Sequence, residues 1–156
     1  MLLRFEDGRP FAQGASTYLY RPATQWETTD RIHVAVRIEH ISTQAIVDTG
    51  AVYLVCDPEI ADLLDLDPAS GWEVDRPLLI RGYRVSGTLH RLYLTLLAEE
   101  GESLTLEVPA FVPRLQPNEL WDLPYFMGLF GCLECIRFAV DPTTDTFYFG
   151  AIGEGD

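Results

Sequence analysis

The order of apolar and polar residues along the chain predicts a series of short β-strands. Residues 31–38 alternate strictly, with Ile32, Val34, Val36 and Ile38 on one face and polar or small side chains on the other. A period of two is typical of a strand with one buried face. The chain then turns over 39–43 and returns as a strand over 44–48, which makes a hairpin. On this pattern, His33 is predicted to be a hydrogen-bonded surface or edge residue.

The same patterns extend the all-β prediction along the rest of the chain. They predict a long hairpin over 78–97 and further strands at 52–56, 104–108, 137–141 and 146–150. Two short helices are predicted. One begins at Asp57-Pro58-Glu59, because Asp caps a helix and Pro suits its first position. The other covers 129–137. Residues 1–30 have a mixed pattern and are a candidate N-terminal arm, and 113–124 are predicted to form a Pro-rich loop.

Composition places the chain among globular proteins and excludes several functions. Its 156 residues carry a net charge of −13, and all 11 basic residues are Arg. Without Lys, lysine Schiff-base chemistry is excluded. Without a basic stripe, nucleic acid is not an expected partner. Because no apolar run reaches the length of a membrane span, and acids occupy the place of a signal's apolar region, we expect no membrane and a cytoplasmic location.

The stretch Ala-Ile-Val-Asp-Thr-Gly-Ala at 45–51 contains the strongest chemical signal. Asp and Gly are both depleted in strands, so a buried apolar run that ends on Asp48-Thr49-Gly50 needs a reason. One reason is functional, since a strand that ends in this way delivers a carboxylate into a cleft while glycine lets the backbone turn tightly. The other is structural, because Asp is also common in turns that end strands.

A second block near the C-terminus, Phe-Met-Gly-Leu at 126–129, precedes an apolar run over 133–140. Together the two blocks resemble the retropepsin-like aspartic proteases, in which two apolar residues and a glycine precede a short helix and a final strand. The resemblance implies a mostly β fold, a closed or partly closed β-barrel of hairpins with one or two short helices, in a single domain over 1–156. In viral members, an Arg or Asn usually follows the second glycine, where this chain has Leu129.

The resemblance also implies roles for individual residues. Asp48 is the catalytic acid and base, Thr49 hydrogen-bonds across a twofold axis, and Gly50 leaves backbone room beside the carboxylates. Ala51 lines the floor of the cleft, and Gly128 lets a second segment pack closely behind the Asp loop. The family has a β-hairpin flap over the cleft, which we place within 81–88. The flap residues predicted to bind substrate are Arg81, Gly82, Tyr83 and Arg84.

Peptide hydrolysis by carboxylates needs two of them around one water, and this chain has Asp-Thr-Gly once. If the chain is a peptidase, the second acid must come from Asp48 of another copy. The expected assembly is therefore an isologous homodimer that hydrolyses a peptide or protein substrate. No cofactor or metal is implied.

Two other interpretations remain open on the sequence. The first is that the chain is a catalytically inactive retropepsin-like dimerisation or peptide-binding module, since fold does not imply function. Cys132 and Cys135 have the C-x-x-C spacing of redox and zinc sites, although a structural zinc needs four ligands and the chain has no second pair. The three His residues lie near no nucleophile motif, so a catalytic triad would need distant residues to be gathered by the fold.

Overall fold

A computed structural model describes residues 1–121 and 125–153, and most of its regular structure is β. The strands are β1 Gly14–Thr17, β2 Leu19–Pro22, β3 Asp30–Ile38, β4 Ile41–Val47, β5 Leu54–Val55, β6 Trp72–Glu73, β7 Leu78–Ile80, β8 Tyr83–Val85, β9 Gly87–Leu96, β10 Glu100–Gly101, β11 Leu104–Pro113, β12 Tyr125–Met127, β13 Ile136–Asp141 and β14 Thr146–Ala151. The helices are α1 Pro58–Leu63 and two short 3₁₀ helices, Pro68–Ser70 and Leu133–Cys135.

Six strands close into a barrel in the order β3, β4, β12, β5, β11 and β9. The barrel closes because β9 pairs back onto β3, with Val36 opposite Leu96 and Ile38 opposite Leu94. Two of the pairings are parallel, β4 with β12 and β5 with β11, and the others in the ring are antiparallel. The predicted mostly β fold with a closed barrel is therefore confirmed.

The alternation read from the sequence explains which face of β3 enters the core. Val34, Val36 and Ile38 are at most 1% exposed, and they pack with Leu92 and Leu94 from β9 in one apolar cluster. Burying each such side chain contributes about 1.5–3 kcal/mol, so this strip anchors the barrel.

The prediction for His33 is wrong in its burial. The residue is only 5% exposed, because β2 pairs along the outer edge of β3 and places Leu19 opposite it. Its ring Nε2 lies 3.2 Å from the carbonyl oxygen of Arg21, which satisfies one ring nitrogen. Burial lowers the pKa of His33, because a charged imidazolium loses hydration there.

A second sheet joins the two ends of the described chain. Its strand order is β10, β1, β14, β13, and β1 runs antiparallel to β14 from Gly14 opposite Phe149 to Thr17 opposite Thr146. Within the candidate arm over 1–30, β1 and β2 thus both pair with other strands of the same chain.

The two predicted helices have different outcomes. α1 forms as expected, since the side chain of Asp57 caps it by accepting a hydrogen bond from the Glu59 amide at 2.7 Å. The helix predicted over 129–137 is wrong in length, because only the 3₁₀ turn Leu133–Cys135 forms and β13 begins at the next residue. Gly131 has φ +68° just before this turn, outside helical geometry. The predicted loop over 113–124 is described as far as Trp121, and 122–124 lie outside the described residues.

Candidate active site

Strand β4 carries Asp48 to the mouth of a cavity. Its residues Ala45 and Ile46 are 1% exposed and fix the strand in the core, while β12 runs parallel beside it. The amide of Asp48 donates to the Met127 carbonyl at 3.1 Å, one residue past the paired segment. The apolar run before Asp48 therefore has a structural purpose, which is to hold the backbone at the point where the acid emerges.

The Asp-Thr-Gly segment forms a tight turn that orients the Asp48 carboxylate. Oδ1 of Asp48 accepts a hydrogen bond from the amide of Gly50 at 2.9 Å, and the Asp48 carbonyl accepts one from the amide of Ala51 at 3.1 Å. Asp48 is half-buried, whereas Thr49 and Gly50 are exposed. A hydrogen bond thus holds one oxygen of the Asp48 carboxylate, and the Thr49 side chain is accessible to another molecule.

Gly128 allows the segment over 128–130 to pack closely against the segment that follows the Asp turn. A Cβ atom built on Gly128 would lie 2.3 Å from the carbonyl oxygen of Tyr53, so only glycine fits without a backbone shift. The next two amides then donate to the Asp loop, Leu129 to the Ala51 carbonyl at 2.9 Å and Phe130 to the Val52 carbonyl at 2.7 Å. The predicted close packing behind the Asp loop is present. Main-chain hydrogen bonds join the two segments at Leu129, where viral members usually have Arg or Asn.

A cavity of about 330 Å³ opens beside Asp48. This volume lies within the usual range for ligand pockets. Its charged lining residues are Arg31, Asp48 and Arg81. The other lining residues are Gly50, Ala51, Val52, Tyr53, Val55, Leu78, Leu79, Ile80 and Phe126. The Asp turn and the β7–β8 hairpin therefore share one cavity.

The β7–β8 hairpin, over 78–85, overlaps the segment 81–88 in which the sequence predicts the flap. Its two-residue turn is Arg81-Gly82, with φ angles of +50° and +84°, as a type I′ turn requires. Leu78 and Val85 face each other across the hairpin and pack on an apolar cluster that includes Phe126. The sequence also assigned 86–88 to the flap region, but Gly87 and Thr88 are the first residues of β9.

Arg81 at the turn is held from two sides. Its Nη1 forms an ion pair with Oε1 of Glu27, from the loop between β2 and β3. Its guanidinium carbon lies 5.0 Å from the centre of the Phe126 ring, within cation–π range. Burial lowers the pKa of Arg81. The flap tip is thus anchored to the floor of the cavity and to the 23–29 loop.

The sequence-predicted binding residues lie in different places, and Arg81 lines two cavities. Ala51 and Arg81 line the cavity with Asp48 and Gly50. Gly128 is buried behind the Asp turn. Tyr83 and Arg84 line a different cavity, of about 520 Å³, which also includes Trp26 and Trp121. Gly82 has no heavy atom within 4 Å of the position a Cβ would take.

Sequence reasoning missed several residues of the cavity. Phe126 and Arg31 both line it. Glu27 lines the neighbouring cavity of about 520 Å³, and it pairs with Arg81, which lines both cavities. Phe126 lies in the block used for the resemblance. In the structure it pairs in parallel with Ile46, two residues before Asp48, which explains why it lies beside the acid. Glu27 comes from an irregular loop, where no periodic pattern predicts a side chain's direction.

Other chemistries have weak support in the described part of the chain. Cys132 is buried, and burial raises its pKa to about 12, so its thiolate is strongly disfavoured at neutral pH. Residues 1–121 and 125–153 contain no group of three or more His, Cys, Asp or Glu side chains placed to hold a metal ion. In the same ranges, no helix combines the length and hydropathy of a membrane span.

No model of a known protein family matches the sequence, and no curated protein matches it either. Solved structures do match. The crystal structure of a retropepsin-like aspartic protease from Rickettsia conorii has a TM-score of 0.57 and 17% identity, covering 89% of this chain and 94% of that one. The retroviral protease-like domain of Ddi1 from Leishmania major has a TM-score of 0.48 and 14% identity, covering 81% of this chain and 97% of that one. At 17% identity the likeness to the Rickettsia conorii protease concerns the fold alone, and this chain therefore has the retropepsin-like fold.

Proposed function

We propose that the chain is a homodimeric aspartic peptidase. It hydrolyses peptide bonds through a water held between two Asp48 carboxylates, one from each protomer. The observation that carries the proposal is the placement of Asp48 in one cavity with a flap hairpin, on a retropepsin-like fold. The Asp-Thr-Gly turn is intact, and its carboxylate is oriented by the amide of Gly50.

The chemistry follows from two carboxyl groups that share one proton. Two like charges about 3 Å apart cannot both ionise, so one group stays protonated. The ionised carboxylate takes a proton from the water, and the water oxygen attacks the scissile carbonyl carbon. The protonated carboxyl donates its proton to the carbonyl oxygen. The leaving nitrogen then takes the proton that the first carboxylate took from water, and the C–N bond breaks as the second carboxylate recovers a proton from a hydroxyl of the tetrahedral intermediate.

A twofold axis beside Asp48 would place the exposed residues of the turn at a contact with the partner. Thr49 is exposed in the single chain, and we propose that its hydroxyl hydrogen-bonds to the partner's Asp-Thr-Gly turn. The apolar side chains of Val52, Leu129 and Phe130, 51%, 42% and 55% exposed, lie beside this turn. Their exposure supports a contact surface there. We expect catalysis in the cytoplasm, on peptide or protein substrates, without a cofactor.

The decisive variant is Asp48→Asn. Asn keeps the size and can still accept the Gly50 hydrogen bond, but it cannot exchange the proton that hydrolysis requires. We expect a folded protein without measurable cleavage of a denatured protein substrate, assayed from pH 4 to 7. The matched control is Asp141→Asn. Asp141 makes the same turn, accepting from the Thr143 amide at 2.9 Å, and it lies outside the cavity. This control should keep full activity.

A mixing experiment tests the shared site. When wild-type and Asp48→Asn chains exchange subunits at equal amounts, about a quarter of the dimers carry two Asp48 residues. Activity should therefore fall to about a quarter of the undiluted wild-type value. A fall to one half would show that each chain acts alone and would contradict the dimeric site. Full activity of Asp48→Asn would refute the peptidase proposal, whereas a stable dimer without cleavage in the wild type would favour the inactive module.

A further inference from the structure

Arg81, at the flap tip, carries a positive charge in a position where partial burial is energetically unfavourable. Its side chain is 21% exposed, it lines the same cavity as Asp48, and it lies against the ring of Phe126. A cation in a partly apolar cavity is stable only when an anion accompanies it. A group that fills the cavity must therefore leave the charge of Arg81 paired with an anion.

The anion that accompanies Arg81 is Glu27. This residue lies in the loop over 23–29, which has no strand or helix and is held by a turn in which the Glu27 amide donates to the Thr24 carbonyl at 3.2 Å. The neighbouring Trp26 is 78% exposed, so the loop buries little apolar surface. Segments with few buried contacts open at low free-energy cost, which makes Glu27 a replaceable partner.

We propose that Arg81 selects substrates with an Asp or Glu side chain beneath the flap tip, and that this carboxylate replaces Glu27. The inference rests on the proposed peptidase function. Guanidinium and carboxylate groups pair through two parallel hydrogen bonds, which favours Asp and Glu over other side chains. Arg31 adds a second cation to the same cavity, so a basic substrate side chain would be repelled there.

The overall charge of the chain does not oppose this selection. The net charge of −13 repels acidic peptides at a distance, but salt screens exposed charges beyond about 10 Å. Inside the cavity, the field is set by the nearest groups, and two of the three charged lining residues are Arg. Local attraction therefore exceeds general repulsion at ordinary ionic strength.

Cleavage of two peptide libraries tests the proposal. The libraries are random except for one fixed position, which is Glu in one and Gln in the other, and products are identified by mass spectrometry. The wild type should yield about tenfold more product cleaved near the fixed residue from the Glu library than from the Gln library, and this ratio is the acidic enrichment. Arg81→Gln should abolish the enrichment. Glu27→Gln should lower KM for Glu peptides with kcat nearly unchanged, because the internal competitor is gone.

The matched control is Arg91→Gln. Arg91 pairs with Glu107 at 3.3 Å on the exposed faces of β9 and β11, outside the cavity, so this variant should keep the preference. Should Arg81→Gln fail to fold, Arg81→Lys takes its place. Lys retains the charge without the planar fork and should reduce the enrichment without abolishing it. Cleavage without acidic enrichment, or enrichment that survives replacement of Arg81, would overturn the proposal and leave the peptidase function standing.

Binding to the Asp48→Asn chain separates the two proposals. Peptides from both libraries are passed over the immobilised variant, and the bound fraction is sequenced. Preferential retention of Glu peptides that disappears in the Asp48→Asn, Arg81→Gln double variant supports the assigned selectivity even where no chain cleaves anything. Equal retention of Glu and Gln peptides overturns it, whatever the cleavage assay shows.

Discussion

Replacing Gly128 by Ala tests the contact that locks the Asp turn. The added Cβ would lie 2.3, 2.6 and 2.7 Å from the carbonyl oxygen, carbonyl carbon and amide nitrogen of Tyr53. All three are backbone atoms, so no side-chain rotation relieves the overlap. The two chain segments must separate by about 1 Å to reach normal contact distance.

The cost of that separation has two parts. Overpacking of a tight site typically costs about 1–3 kcal/mol. The shift also stretches the hydrogen bonds from Leu129 to Ala51 and from Phe130 to Val52, each of which contributes about 0.5–1.5 kcal/mol. We expect a total loss of about 3 kcal/mol. For a chain of this size, that loss lowers Tm by about 6–12 °C.

Thermal and urea unfolding at one fixed protein concentration measure the effect, since the stability of the proposed dimer would depend on concentration. Gly8→Ala is the control. Gly8 has no heavy atom within 4 Å of its Cβ position, and its φ of +86° costs Ala about 1–2 kcal/mol without any steric overlap. If Gly128→Ala is no less stable than Gly8→Ala, the proposed steric lock behind Asp48 is wrong.

Two further predictions concern buried titratable groups. Burial lowers the pKa of His33 and His90, so the unfolded chain binds protons that the folded chain does not. Stability should then fall as pH drops below 6.5, the ordinary value. Urea midpoints at pH 7.5 and 5.5 measure the fall, and His90→Gln should reduce it. Cys132 and Cys56 are buried, and their pKa values are raised to about 12, so only exposed Cys135 should react quickly with a thiol reagent at pH 8. Rapid modification of Cys132 would contradict that protection.

Local patterns predicted the parts of the site that depend on near neighbours. The strict alternation in 31–38 identified Val34 and Val36 as core residues, and both are at most 1% exposed. The capping role of Asp57 also followed from the sequence, because an N-cap needs only residues one turn apart. The flap's two-residue turn contains the predicted Gly82 for the same local reason.

Contacts between distant segments were beyond such reasoning. The pattern placed His33 on an exposed face because it could not show that β2 would cover that edge. It predicted a helix over 129–137, but the amides of Leu133 and Glu134 bond to the carbonyls of Gly128 and Leu129, five residues earlier, instead of following the four-residue spacing of an α-helix. The pairing of Glu27 with Arg81 joins two loops, and neither loop has a period from which a side-chain direction follows.

The pairing of β1 with β14 has a consequence for the newly made chain. Thr17 leaves the ribosome roughly 130 residues before its partner Thr146. At about 5–20 residues per second, the first strand waits about 6–26 s for its neighbour. During this interval an unpaired strand edge is open to other nascent chains, and such edges favour aggregation. Slow translation should therefore lower the soluble yield of this protein, and a chaperone that shields the first strand should restore it.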